Sequence, residues 1–257
     1  MIELTNINKT YNSGSVHEKA MFHDFSLSVP DGQFVSIVGS NGSGKTTLLN
    51  LICGSMPVDS GAVRLNGREI TALPEYTRAK SIGRVFQDPA KGTCASLTIL
   101  ENLSLADRKG ASYGLARGVS RGKTDAYRAM LEPLGLGLED MLNQSVGTLS
   151  GGQRQALALL IATMTPIDLM ILDEHTAALD PRSSETVMRL TDEIVREKRL
   201  TTLMVTHNLK YAIQYGDRII MLHQGNIVLD AADDAKRDCD VNDILKIFTE
   251  ISVELGN

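Results

Sequence analysis

No stretch constrains this chain more than Gly39-Ser40-Asn41-Gly42-Ser43-Gly44-Lys45-Thr46-Thr47. It fits the spacing glycine, four residues, Gly-Lys-Ser/Thr, and its neighbours give that spacing a physical meaning. Ahead of it, Phe34-Val35-Ser36-Ile37-Val38 is a short apolar, β-branched run that predicts a buried strand. Behind it, Thr46-Thr47-Leu48-Leu49-Asn50-Leu51-Ile52 has the length and apolar density of a helix start. A strand feeding a glycine-rich turn into a helix N-terminus leaves several backbone N–H groups unpaired and aimed at one point. Glycine lets such a turn curl around a phosphate without Cβ clashes. Lys45 is then expected to reach β- and γ-phosphates, and the Thr46 hydroxyl to hold Mg²⁺. An accidental match in a Gly/Ser turn is the competing reading, and the flanking strand and helix weigh against it.

Composition narrows the class around that motif. A length of 257 residues suits one large α/β domain or a core with a subdomain. Hydrophobic residues at 42% and charged residues at 22% are ordinary for a soluble globular protein. The net charge of −5 argues against a general nucleic-acid binder, which carries a basic patch. Cys53, Cys94 and Cys239 are scattered and form no C-x-x-C pair, so reduced thiols are expected rather than a disulfide framework or a zinc site. The N-terminus lacks the charged-then-apolar pattern of a secretory leader. No run approaches the roughly 18 apolar residues needed to cross a bilayer, so any membrane role is expected to come through a partner.

Along the chain, strands are expected over residues 2–11 and 21–29, with a flexible Asn12-Ser13-Gly14-Ser15 loop between them and a Pro30-Asp31-Gly32 turn after. Tyr11, just before that loop, can stack on an adenine ring through its π face or simply pack on the sheet. Further strands are expected over 62–65 and 82–86, the second ending in Gln87-Asp88-Pro89, and a helix over 98–106. Residues 108–123 break the composition: Arg108, Lys109, Arg117, Arg121 and Lys123 occur with no acid among them, and interspersed glycines weaken any helix. A solvated loop is one reading; contact with anionic headgroups, worth about 1 kcal/mol per basic residue, is the other. Helical character resumes over 124–134.

Leu149-Ser150-Gly151-Gly152-Gln153 opens a second glycine-started helix, expected over 155–164. Leu169-Met170-Ile171-Leu172-Asp173-Glu174 is a continuous apolar run ending in two carboxylates, the pattern of a parallel strand covered on both faces with its chemistry at the carboxyl end. Asp173 is placed to bind Mg²⁺, and Glu174, one residue further, to orient or deprotonate a water. Asp180-Pro181 reads as N-cap and first residue of a helix running to about 198. A strand over 201–206 ends at His207, and a helix over 208–215, strands over 218–222 and 227–229 and a helix over 241–253 complete the chain.

Taken together, the set resembles the nucleotide-binding subunit of ABC (ATP-binding cassette) transporters over nearly the whole chain. Residues 39–46 match the Walker A motif, Gln87 the Q-loop, residues 149–153 the LSGGQ motif, residues 169–174 Walker B with its catalytic glutamate, residues 178–180 the D-loop and His207 the switch histidine. The resemblance implies a P-loop NTPase (RecA-like) α/β core with a parallel sheet, an antiparallel β subdomain and an inserted α-helical subdomain. It implies one ATPase domain: 1–88 and 165–230 as the core, 89–164 as the helical subdomain, 231–257 as a C-terminal helical tail. ATP and Mg²⁺ are the implied cofactors. Tyr11, Gly39, Asn41, Gly42, Ser43, Gly44, Lys45, Thr46 and Thr47 would hold the nucleotide of one copy. Ser150, Gly151, Gly152, Gln153 and Asp180 would meet the nucleotide of a second copy in a head-to-tail dimer. Thr46, Gln87 and Asp173 fall on the metal side, and Glu174, His207, Lys45 and Gln87 in the catalytic set.

The implied partners are a second copy, an integral membrane permease docked near residues 87–103 and a solute-binding lipoprotein, at the cytoplasmic face of the membrane and without nucleic acid. The run from Asp173 to Pro181, with Gly83-Arg84-Val85-Phe86-Gln87-Asp88-Pro89, is most similar to bacterial tryptophan/tyrosine-type importer cassettes. His175 stands where the family commonly has proline, and Ala156 and Leu160 where many members carry arginine. Import of a small solute such as an amino acid is the leading expectation. An exporter ATPase, or a soluble ABC ATPase acting on nucleic acid or the ribosome, are the alternatives.

Overall fold

The computed structural model describes residues 1–110, 118 and 119, and 121–254, with side chains described to residue 247 apart from that of Arg121. Arg117 and half of the basic, glycine-rich stretch 108–123 lie outside the described residues. The chain forms two compact units, Met1–Pro74 with Arg199–Asn257, and Glu75–Lys198. The first opens with β1 (Ile2–Tyr11), β2 (Lys19–Val29), β3 (Phe34–Gly39), α1 (Lys45–Cys53), β4 (Ser60–Leu65) and β5 (Arg68–Glu69). The second holds α2 (Glu75–Arg78), β6 (Ile82–Val85), α3 (Ile99–Ala106), α4 (Thr124–Leu131), α5 (Gly151–Thr163), β7 (Leu169–Asp173) and α6 (Pro181–Lys198). The chain then returns to the first unit with β8 (Thr201–Val205), α7 (Leu209–Gln214), β9 (Arg218–His223), β10 (Asn226–Ala232), α8 (Asp233–Arg237) and α9 (Val241–Glu254).

In the first unit, β2-β1-β4-β5 pair antiparallel. A second set of strands has β3 parallel to both β8 and β9, with β10 returning antiparallel on β9. Val35, Ile37 and Val38 are wholly buried, as the apolar run requires of a central strand. The one polar residue of that run, Ser36, is buried too, and its hydroxyl donates to the Tyr215 carbonyl at 3.2 Å. Val38, Ala212, Ile219, Met221, Ala231 and Ile244 form a cluster that joins β3 and β9 to α7 and α9. The C-terminal helix is therefore part of this unit's core at its N-terminal end.

In the second unit β6 and β7 run parallel, Ile82 opposite Leu169 and Val85 opposite Leu172. Leu169 to Leu172 are each fully buried. Helix α5 packs against β6, α3, α4 and α6, and residues 155–160 are all buried, which is why its sequence is apolar all round. Helix α3 starts at a capping box: Thr98 Oγ1 accepts from Glu101 N at 3.2 Å and Glu101 Oε2 accepts from Thr98 N at 2.8 Å.

The expected elements are all present, with ends shifted by a few residues. The short β5, α2 and α8 carry no periodicity a sequence reading can use, being two to five residues long. At the edge of the basic stretch, Lys123 pairs with Asp107 at 2.5 Å, so this lysine is engaged with the acid just upstream. Desolvation by burial lowers the pKa of Lys109.

Candidate functional site

The first unit carries the phosphate loop. β3 ends at Gly39, and α1 begins at Lys45 with Gly44 at the N-cap in the left-handed region, φ 108°. A Cβ at Gly44 would come 2.9 Å from Phe22 Cζ, and one at Gly39 only 2.3 Å from the Leu222 carbonyl oxygen. Both glycines are demanded by backbone shape and close approach together. No side chain caps α1, and a helix N-terminus of this kind suits an anion. Lys45 is buried and its ammonium donates to the Gly39 and Ser40 carbonyls at 2.8 and 2.9 Å. The ammonium is thus held over the loop. Ser43 Oγ is buried without a hydrogen-bond partner, an orphan polar atom inside the loop. Asn41, Gly42 and Thr46 are exposed, Thr47 buried.

Tyr11 is half-buried, and its hydroxyl lies 2.8 Å from Thr47 Oγ1 and 3.4 Å from Met56 Sδ. The end of β1 is thereby tied to α1. His207 is exposed after β8, followed by Asn208, whose carboxamide caps α7 by accepting from Tyr211 N at 3.2 Å.

The second unit carries the carboxylates. Asp173 is the last residue of β7, and Glu174 follows with φ 48°, a left-handed conformation rare for a non-glycine residue. Such strain turns the chain sharply at the strand end. Asp173 Oδ2 accepts from Arg84 Nη2 at 2.7 Å, with both side chains largely buried. Arg84 Cζ also lies 4.7 Å from the centroid of the Phe86 ring. In sequence Arg84 stands only as a member of the 83–89 run, with no site role, although an arginine inside Ile82-Gly83-Arg84-Val85-Phe86 is a usable signal: a charge in a buried strand needs a partner. Gln87, exposed, comes directly after Phe86, whose carbonyl accepts from Gln155 Nε2 at 3.0 Å.

His175 is 2% exposed, and its Nε2 lies 3.1 Å from Thr191 Oγ1. Thr191 Oγ1 donates to the Val187 carbonyl, so it accepts from His175, which fixes the proton on Nε2 of a neutral ring. Desolvation pushes this histidine down to about 4.

Ser150 caps α5 in a reciprocal box with Gln153: Ser150 Oγ accepts from Gln153 N at 3.2 Å, and Gln153 Oε1 from Ser150 N at 3.1 Å. A Cβ at Gly152 would come 3.0 Å from the Ser183 side chain, so glycine lets α6 start close against α5. Ser150, Gly152 and Gln153 share with Leu134, Arg182 and Ser183 the lining of a cleft of about 360 Å³. Asp180 accepts from Arg182 N and Ser183 N at 3.1 and 3.0 Å, capping α6. Hydrogen bonds from Ser183, side chain first, hold its carboxyl below the usual carboxylate range.

Residues 22–177 match a family described as ABC transporter. The chain belongs to this family. A tyrosine transport ATP-binding protein of Clostridioides difficile is 48% identical over 248 residues, 96% of this chain and 98% of the relative. A phosphonates import ATP-binding protein of Alcaligenes faecalis is 35% identical, over 90% of this chain and 82% of the relative. Among solved structures, the ATP-binding cassette MJ0796, dimeric in a post-hydrolysis state with ADP and Pi, superposes with a TM-score of 0.74 at 32% identity, over 90% of this chain and 98% of that one. This ABC cassette is accordingly an ATPase with the P-loop NTPase α/β fold. Among its described residues, no helix is long and apolar enough to cross a membrane.

Proposed function

We propose that this cassette hydrolyses ATP to drive import of a small solute, an amino acid of the tyrosine or tryptophan kind, through a separate permease at the cytoplasmic face of the membrane. The observation that carries the reading is the nearly full-length relation to a tyrosine transport ATP-binding protein. In this reading residues 89–164 are the helical subdomain that meets the permease, a lipoprotein delivers the solute, and no nucleic acid takes part.

The residues divide the work by chemistry. Tyr11 meets the adenine, and the loop 39–47 wraps the phosphates with backbone N–H groups and the Lys45 charge. Magnesium fits the donors present. It is commonly held by one or two carboxylates with substrate phosphates, Asp173 already holds a cation at 2.7 Å, and the Thr46 hydroxyl is exposed at the first turn of α1. Thr46, Asp173 and Gln87 would hold it, and when bound it supplies positive charge against the β- and γ-phosphates. Glu174 takes a proton from the water that attacks the γ-phosphorus as the bond to the bridging oxygen breaks, leaving ADP and phosphate. His207 contacts the γ-phosphate side. Ser150, the 151–153 turn and Asp180 act on the nucleotide of a second copy, so each site needs two chains.

Reconstitution into vesicles with the permease and lipoprotein encoded beside it tests the proposal. ATP hydrolysis should rise severalfold when the lipoprotein is loaded with tyrosine or tryptophan. Stimulation from the cytoplasmic side without any lipoprotein would make the system an exporter. Stimulation by nucleic acid or ribosomes with no membrane partner would overturn the reading altogether.

A further inference from the structure

We propose that Arg84 is a positioning residue that holds the Asp173 carboxylate as a resident counter-cation, and that Asp173 must exchange this partner to take up the divalent cation of the nucleotide. The inference rests on the reading of Asp173 as a metal-side residue.

Strand geometry aims the arginine. Arg84 lies opposite Ile171 in the parallel ladder; side chains two apart on a strand share a face, so Arg84, Ile171 and Asp173 project to the same side. The guanidinium reaches along that face to Asp173 Oδ2 at 2.7 Å. Behind it lies the Phe86 ring, 4.7 Å from Cζ. Phe86 is itself pinned through its carbonyl by Gln155 from α5, and a Cβ at the preceding Gly83 would come 2.7 Å from the Ala162 carbonyl of the same helix. The strand that carries Arg84 therefore has little freedom to shift, and the ion pair is preset.

The electrostatics set the sign. Asp173 and Arg84 side chains are 14% and 12% exposed, so water screens little between them. A carboxylate so placed needs a cation in every state of the cycle. Arg84 supplies one when no metal is bound, and by the same charge it disfavours a second cation at Asp173. It thus tunes how strongly metal and nucleotide binding reinforce each other. The position also joins this exchange to Gln87, the residue after Phe86, which is tied to Arg84 through the ring.

The experiment measures binding of a fluorescent ADP to the full chain in excess EDTA and in excess Mg²⁺, and takes the ratio of the two dissociation constants. Arg84→Gln keeps a donor for Asp173 but removes the charge, and should raise that ratio at least about threefold. Arg84→Lys restores the charge and should return the ratio towards that of the natural protein, a rescue that a merely structural role would not give. A ratio in Arg84→Gln equal to or below the natural one overturns the proposal, provided Asp173→Asn has lost the metal effect. If Asp173→Asn keeps the natural ratio, it is the metal-side reading of Asp173 that fails.

Discussion

At the scale of single residues, two neighbours at the end of β7 carry opposite demands. Glu174 sits in a left-handed conformation, which a glutamine can share as well as a glutamate. Glu174→Gln should therefore fold and bind ATP normally, while steady-state hydrolysis slows by roughly 10²–10⁴-fold, the range for a lost general base. Unchanged turnover would remove Glu174 from that role. His175 is buried and neutral, its folded pKa about 4 against about 6.5 in an unfolded chain. The unfolded state takes up the proton first as pH falls. The penalty is thus absent above pH 6.5 and accumulates at about 1.4 kcal/mol per unit down towards pH 4. Denaturant titrations between pH 7 and 4.5 should show this slope in the natural protein and a shallower one in His175→Gln. The sequence marks His175 as a departure from proline, yet its neutral state comes from desolvation and the Thr191 contact, neither of which a linear chain displays.

At the scale of elements, most boundaries were legible because punctuation is local. Asp180-Pro181 is a start signal that works within a few residues, and Asp180 caps the helix it announces. The boxes of Thr98 with Glu101 and Ser150 with Gln153 are as local, but periodicity alone does not use them, so α5 starts at Gly151 rather than at 155. Thr98→Ala should cost about 1 kcal/mol through loss of the capping box on α3, read as a lowered denaturation midpoint with nucleotide affinity unchanged. What stayed hidden is how elements lean on one another. Gly39 and Gly152 look alike in sequence as turn glycines, but one is required by the Leu222 carbonyl and the other by Ser183 at the start of α6. Arg84 likewise belongs to β6 by pattern, while its partner lies on β7.

At the scale of the whole molecule, the reading of Ser150 as acting on a second copy's nucleotide makes a test that needs no transport assay. In the Glu174→Gln background, ATP should shift the chain from monomer to dimer on size exclusion, and ADP should not, since γ-phosphate contacts hold such a closure. Adding Ser150→Arg should abolish the ATP-induced dimer while leaving nucleotide binding intact. A dimer that persists in the double variant would show that the cap of α5 takes no part in assembly.

The sequence by itself determined the order of the longer strands and helices and the positions of the phosphate loop, the two carboxylates and the glycine-started α5 helix. Those properties depend on periodicity, glycine conformational freedom and capping within a few residues of the chain. Only the tertiary structure decided that Asp173 has a resident arginine, that His175 is neutral, and that Gly39 admits no side chain. Each of these depends on a group distant in sequence brought into contact, where low dielectric and close packing give a charge or a missing Cβ its energetic weight.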